Sequence, residues 1–150
     1  MLKELSNILI FVVASVGCAK PSGDQALIEI AERFVSDAAR YGVTVDINDY
    51  TLKFVEALRP MPGKNIIGEC FNYKNEVHIK KRWFDRASEA DREALLYHEL
   101  GHCVLRRGHK EGAAGPGGSP TSVMQALLIS GVVWEKNREW YLQELFTHDD

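Results

Sequence analysis

Ser88-Glu89-Ala90-Asp91-Arg92-Glu93-Ala94-Leu95-Leu96-Tyr97-His98-Glu99-Leu100-Gly101-His102-Cys103-Val104-Leu105 carries more information than any other part of the chain. Ser88 with an acidic residue three positions later has the form of a helix-start capping box. After it, Ala94, Leu95, Leu96, Leu100, Val104 and Leu105 recur at helical spacing. The pattern predicts a helix with His98 and His102 well inside it. Residues i and i+4 share a helix face, so these two imidazoles can grip one metal ion. Glu99 lies beside the pair, within reach of a metal-held water without being a ligand itself. This spacing predicts a hydrolytic centre with Zn2+ as cofactor and Glu99 as general base. The competing reading is an exposed polar stripe or two satisfied core histidines.

A third ligand is expected from the segment that follows. Gly108 permits the left-handed turn that ends a helix and redirects the chain, which would swing His109 back toward the metal. Against this stands a surface His in the basic patch Arg106-Arg107-Gly108-His109-Lys110. Glu135 and Glu139, on a helix predicted near the carboxy terminus, are rival third ligands. His78 alternates with Val77 and Ile79 and reads as a strand side chain, and His148 lies close to the terminus.

At 150 residues the chain has room for one domain. The net charge of −3 is modest and the charges are mixed, so no nucleic-acid partner is expected. The apolar run Leu9 to Val16 follows Lys3 and precedes Gly17-Cys18, which resembles a bacterial lipoprotein signal peptide. The expectation is a signal over 1–17, a lipid on Cys18, and a mature domain over 18–150 anchored in the cell envelope. Ala19 in place of Asp beside the anchor favours the outer membrane, on its periplasmic or surface face. Plain secretion with cleavage after Ala19, or a buried amino-terminal helix, are the alternatives. Export would place Cys70 and Cys103 where disulfides persist. Their pairing would tie the histidine helix to a neighbouring strand; two separate buried thiols are the other possibility.

Leu27, Ile30, Ala31, Phe34, Val35 and Ala38 predict a helix over Gln25 to Tyr41, capped by Ser22 to Asp24. Thr51 to Leu58, Ile66 to Tyr73 and Glu76 to Trp83 read as strands, the last two joined at Lys74-Asn75. Glu76 to Lys81 is expected to be an edge that binds substrate by strand addition. Gly112 to Pro120 is a loop placed to wall a cleft. Trp134 to Phe146 predicts the carboxy-terminal helix, with Tyr141 a candidate to steady an oxyanion.

This order of parts resembles the metzincin-type zinc peptidases over about Ile66 to Phe146. His98, Glu99 and His102 match that family's first block in type and spacing, and Ser122-Val123-Met124 resembles its Met-turn, with Met124 as the methionine. The run His98-Glu99-Leu100-Gly101-His102-Cys103 is also similar to that of small bacterial lipoproteins regarded as metallopeptidases. The resemblance implies an α+β, zincin-like single domain: amino-terminal helix, small mixed sheet, active-site helix, Met-turn and carboxy-terminal helix. It implies a zinc metallopeptidase acting on peptide or protein substrates, expected here as a monomer. Two departures stand out. Leu105 occupies the place of the family's Gly, and His109 comes one residue late. The alternatives are a gluzincin-like peptidase using Glu135 or Glu139, and a non-catalytic zinc-binding envelope lipoprotein.

Overall fold

The computed structural model describes residues 21–60, 62–63 and 65–147. The signal segment, Cys18 and His148 lie outside them. Ser22–Gly23 (β1) runs parallel to Thr51–Val55 (β2) and leads into the helix Gln25–Arg40 (α1). Leu27, Ile30, Ala31, Phe34 and Ala38 make the buried stripe of α1, at the three- and four-residue spacing that keeps apolar side chains on one face. Asp24 stands at the cap position, yet its carboxylate does not cap. It accepts the Phe54 N–H at 2.6 Å and so ties the start of α1 to β2.

The next two strands are shorter than their sequence pattern. Gly68–Phe71 (β3) and Glu76–Lys80 (β4) pair antiparallel, while β2 and β4 pair parallel. The order across the mixed sheet is β1-β2-β4-β3. A 3₁₀ turn at Asn72–Lys74 joins β3 to β4, and Asn75 supplies the left-handed residue (φ 52°) that a glycine often provides. Lys81–Phe84 (α2) is a single helical turn rather than a continuation of β4. Glu76 to Lys80 is therefore an interior strand. The edges of the sheet are β1 and β3, so Glu76 to Lys80 is not the edge strand expected from the sequence.

The histidine helix is Glu89–Cys103 (α3), and the Ser88 hydroxyl accepts the Asp91 N–H at 3.1 Å, as a capping residue should. Leu52, Val77 and Ile79 pack with α1 and α3 into one core with Leu95, Leu96, Leu100, Trp134, Leu142 and Leu145. The predicted carboxy-terminal helix is two helices, Gly131–Lys136 (α4) and Arg138–Thr147 (α5), broken at Asn137. The described residues thus form a small mixed α+β domain with five α-helices and a four-stranded sheet. No helix among them is long and apolar enough to cross a membrane.

Candidate metal centre

His98 and His102 stand one turn apart near the end of α3, with ring centroids 4.6 Å apart. Each ring is held from behind by a backbone carbonyl. His98 Nδ1–H donates to Val123 O at 2.8 Å, and His102 Nδ1–H donates to Arg107 O at 2.7 Å. A carbonyl only accepts, so these bonds place the ring proton on Nδ1 and leave each Nε2 with a bare lone pair. The two Nε2 atoms face each other at 3.0 Å. Burial pushes the His98 pKa down to about 4, outweighing the Val123 bond, and the neighbouring imidazoles lower it further. Burial likewise lowers that of His102. Burial thus favours the neutral form of both rings.

His109 joins them from outside the helix. Its ring centroid lies 5.4 Å from that of His98 and 4.8 Å from that of His102. One nitrogen from each of the three rings lies within 4.8 Å of the others, and among the described residues this is the one group of three or more such side chains close enough to hold a metal. The turn that delivers His109 differs from expectation. Gly108 is not left-handed; Arg106 is, with φ 61°. The chain leaves α3 at Val104, Arg107 N–H reaches back to Gly101 O at 3.0 Å, and the extra residue is absorbed before His109.

That turn is anchored by charge. Arg107 and Glu144, with side chains 6% and 5% exposed, pair at 2.8 Å. The same guanidinium donates to the carbonyls of Glu144 and Leu145 at the end of α5. Lys110 Nζ meets Glu144 at 3.1 Å, and the Ser122 hydroxyl donates to its other oxygen. Ser122 in turn accepts the Met124 N–H at 3.0 Å, and Met124 O accepts the Lys110 N–H at 3.0 Å. The segment 122–124 thus orients His98 through Val123 O and pins the residue after His109 through Met124 O. Met124 is fully buried, and its sulfur presses on Gly101, where any Cβ would collide with it. Hence the residue before His102 is glycine despite that residue's poor helix propensity.

Glu99 faces β3. Its carboxylate is buried against Gly68, where a Cβ would lie 2.6 Å from one oxygen, and the Cys70 amide donates to it. Burial, helped by the negative charge of Glu69, pushes its pKa up to about 8 against that bond. A Cys70–Cys103 disulfide joins β3 to the end of α3 and holds the strand beside the helix. His98, Glu99, His102 and His109 line a cleft of about 750 Å³, bordered by Gly68, Glu69 and Cys70 of β3 on one side and Ala126 to Leu128 on another.

Several expected participants lie elsewhere. Gly112 to Pro120 contributes nothing to the cleft lining, and the segment after Met124 takes that place. Tyr141 is fully buried and stacks on Trp134 at 5.9 Å, so its hydroxyl does not reach the cleft. Glu139 pairs with Arg40 at 3.2 Å and accepts from Tyr41 at 2.9 Å, and Glu135 is an exposed residue of α4. Neither belongs to the three-histidine group. His78 sits in β4 and bonds Glu76 at 2.8 Å. Gly68, Glu69 and Glu144 escaped the sequence reading, and Arg107 and Ser122 entered it only within a basic patch and a Met-turn-like segment. Glu144 alone left a signal, as a carboxylate within the apolar run Tyr141-Leu142-Gln143-Glu144-Leu145-Phe146.

The residues present suit a zinc ion. Two bare Nε2 lone pairs aimed at each other repel unless a cation lies between them. Their 3.0 Å separation is near the roughly 3.3 Å that tetrahedral ligands at about 2.0–2.1 Å from one ion require. The carbonyl bonds behind the rings are the outer support that metal-binding histidines commonly use. Compared with family models, curated proteins and solved structures, the chain matches none.

Proposed function

We propose that this chain is a zinc-dependent metallopeptidase of the zincin type, lipid-anchored through Cys18 in a bacterial cell envelope. The observation that supports this most is the convergence of three imidazoles, two with their Nδ1 protons committed to carbonyls, on one mouth of a cleft that also holds a buried carboxylate. His98, His102 and His109 would hold the zinc, which would supply the Lewis acidity that brings a water's pKa to about 7.

The chain's own groups do the rest. Glu99, buried beside the histidines and biased by that burial toward its protonated form, would when ionised take a proton from water and hand it to the leaving amine. The Cys70 amide and the absence of a side chain at Gly68 hold its carboxylate in place. An extended peptide would lie across the histidines by strand addition to the edge of β3, whose Cys70 amide is already committed to Glu99. The carbonyl of Val123 fixes His98, and Met124 packs against the same helix at Gly101.

Glu99→Ala is the decisive variant. It is expected to keep one zinc per chain while hydrolysis of a casein-type substrate falls by about 10²–10⁴-fold. Equal cleavage by the variant and the parent removes Glu99 from its role. A parent protein that holds zinc yet cleaves nothing in a broad peptide library is a zinc-binding envelope module instead.

A further inference from the structure

A second hollow, of about 600 Å³, opens beside the cleft and shares Asn65, Ile67 and Leu128 with it. Lys80, at the end of β4, and Arg82, Trp83 and Arg86, from α2 and the turn after it, form its far wall. Among the described residues, Lys80, Arg82 and Arg86 form no ion pair, whereas neighbouring Lys81 is paired with Asp85. Asp91 is the one carboxylate in the lining, and its two oxygens already serve the Gly131 N–H and the Ser88 hydroxyl. The hollow therefore presents three cations without an ion-pair partner, against one carboxylate held by neutral donors, over a floor of Ile67, Leu128 and Ile129. Ile67 leads directly into β3 and belongs to both linings, so the hollow adjoins the cleft at the start of that strand.

We propose that the hollow is a specificity subsite that receives a carboxylate of the bound peptide. This rests on the reading of the cleft as a peptide site. The apolar floor covers the methylene stem, and the cations meet the head with charge-assisted bonds. Asp and Glu side chains and a free carboxy terminus carry the same chemistry, and the test distinguishes them.

The probes are fluorescein-labelled ten-residue alanine peptides bearing one Glu or one Gln at each position in turn, with the carboxy terminus free or amidated. Binding is read by anisotropy on zinc-loaded Glu99→Ala protein, which keeps the measurement independent of turnover. Glu is expected to bind about tenfold tighter than Gln over one short run of positions. In the Arg82→Glu/Arg86→Glu variant that preference should vanish, and a Lys peptide should bind better than a Glu peptide. If the preference appears only with a free terminus, the terminal carboxylate is the occupant. Equal binding of Glu and Gln peptides, a preference that survives charge reversal, or no peptide binding at all overturns the proposal. Binding with the expected preference but no cleavage by the parent protein defeats the hydrolytic reading alone.

Discussion

Two buried charge clusters flank α3. Tyr97 and His98 are sequence neighbours: the Tyr97 hydroxyl bonds one cluster, and His98 bonds the carbonyl of Val123, next to Ser122 of the other. On the Tyr97 side, Arg138 reaches Asp37 at 2.6 Å and Glu93 at 3.1 Å, while the Tyr97 hydroxyl donates to Asp37 and the Trp134 indole donates to Glu93. This cluster joins α1, α3, α4 and α5 and touches none of the histidines. On the His98 side, Arg107, Lys110, Ser122 and Glu144 join the His109 turn, the Met124 segment and α5. The two obey the same physics: a buried ion is tolerated only when paired, and losing one partner strands the other. They differ in what they hold. The first ties helices to one another, and the second fixes the backbone carbonyls that aim His98 and His102.

Glu144→Ala should therefore have the largest effect. It strands Arg107 and is expected to cost about 3–5 kcal/mol of stability. It should also weaken zinc binding by about 10–100-fold, since outer supports of metal ligands carry that much. Calorimetric melting and a competitive zinc chelator measure the two separately. If stability falls while zinc affinity holds, the turn does not depend on this anchor.

Arg138→Met removes the cation of the other cluster. Its side chain is 27% exposed, so water softens the loss to about 1–3 kcal/mol. Zinc affinity should stay within about twofold of the parent. A larger drop in affinity would mean that the clusters are coupled through α3.

Acid should reveal the Tyr97-side cluster as well. Burial alone would raise the Asp37 carboxyl, but the Tyr97 hydroxyl, Arg138 and Arg40 together hold it below its ordinary range. Glu93 is likewise lowered against its burial, by Arg138 and Trp134. Groups whose folded pKa is depressed contribute their stability above the unfolded values of about 4, and lose it as pH falls through the folded pKa. Metal-free protein melted between pH 6 and pH 2.5 should lose stability below about pH 4, and Arg138→Met should flatten that slope. An unchanged slope in the variant would place the acid sensitivity elsewhere.

Arg106→Gly should have the smallest effect. Its left-handed φ of 61° is strained for a side-chain-bearing residue, and glycine relieves this at an entropic cost, leaving a change of less than about 1 kcal/mol. A large destabilisation would show that the Arg106 side chain holds the turn.

The sequence by itself determined what is local. The Ser88 cap and the apolar spacing of α3 set His98 and His102 on one face, because helix geometry depends on near neighbours alone. The stripe of α1 was legible for the same reason. Everything that needed two distant segments to meet was decided by the tertiary structure. Whether His109 reaches the other imidazoles depends on Arg106 turning left and on a salt bridge to Glu144, 37 positions further along. Which strand is the edge depends on β4 inserting between β2 and β3, and hydrophobic alternation within each strand carries no record of that order. The proton positions on His98 and His102 were likewise set by carbonyls from Val123 and Arg107. A helix repeats a local rule, whereas a site assembled from loops depends on packing, and packing is a property of the whole chain.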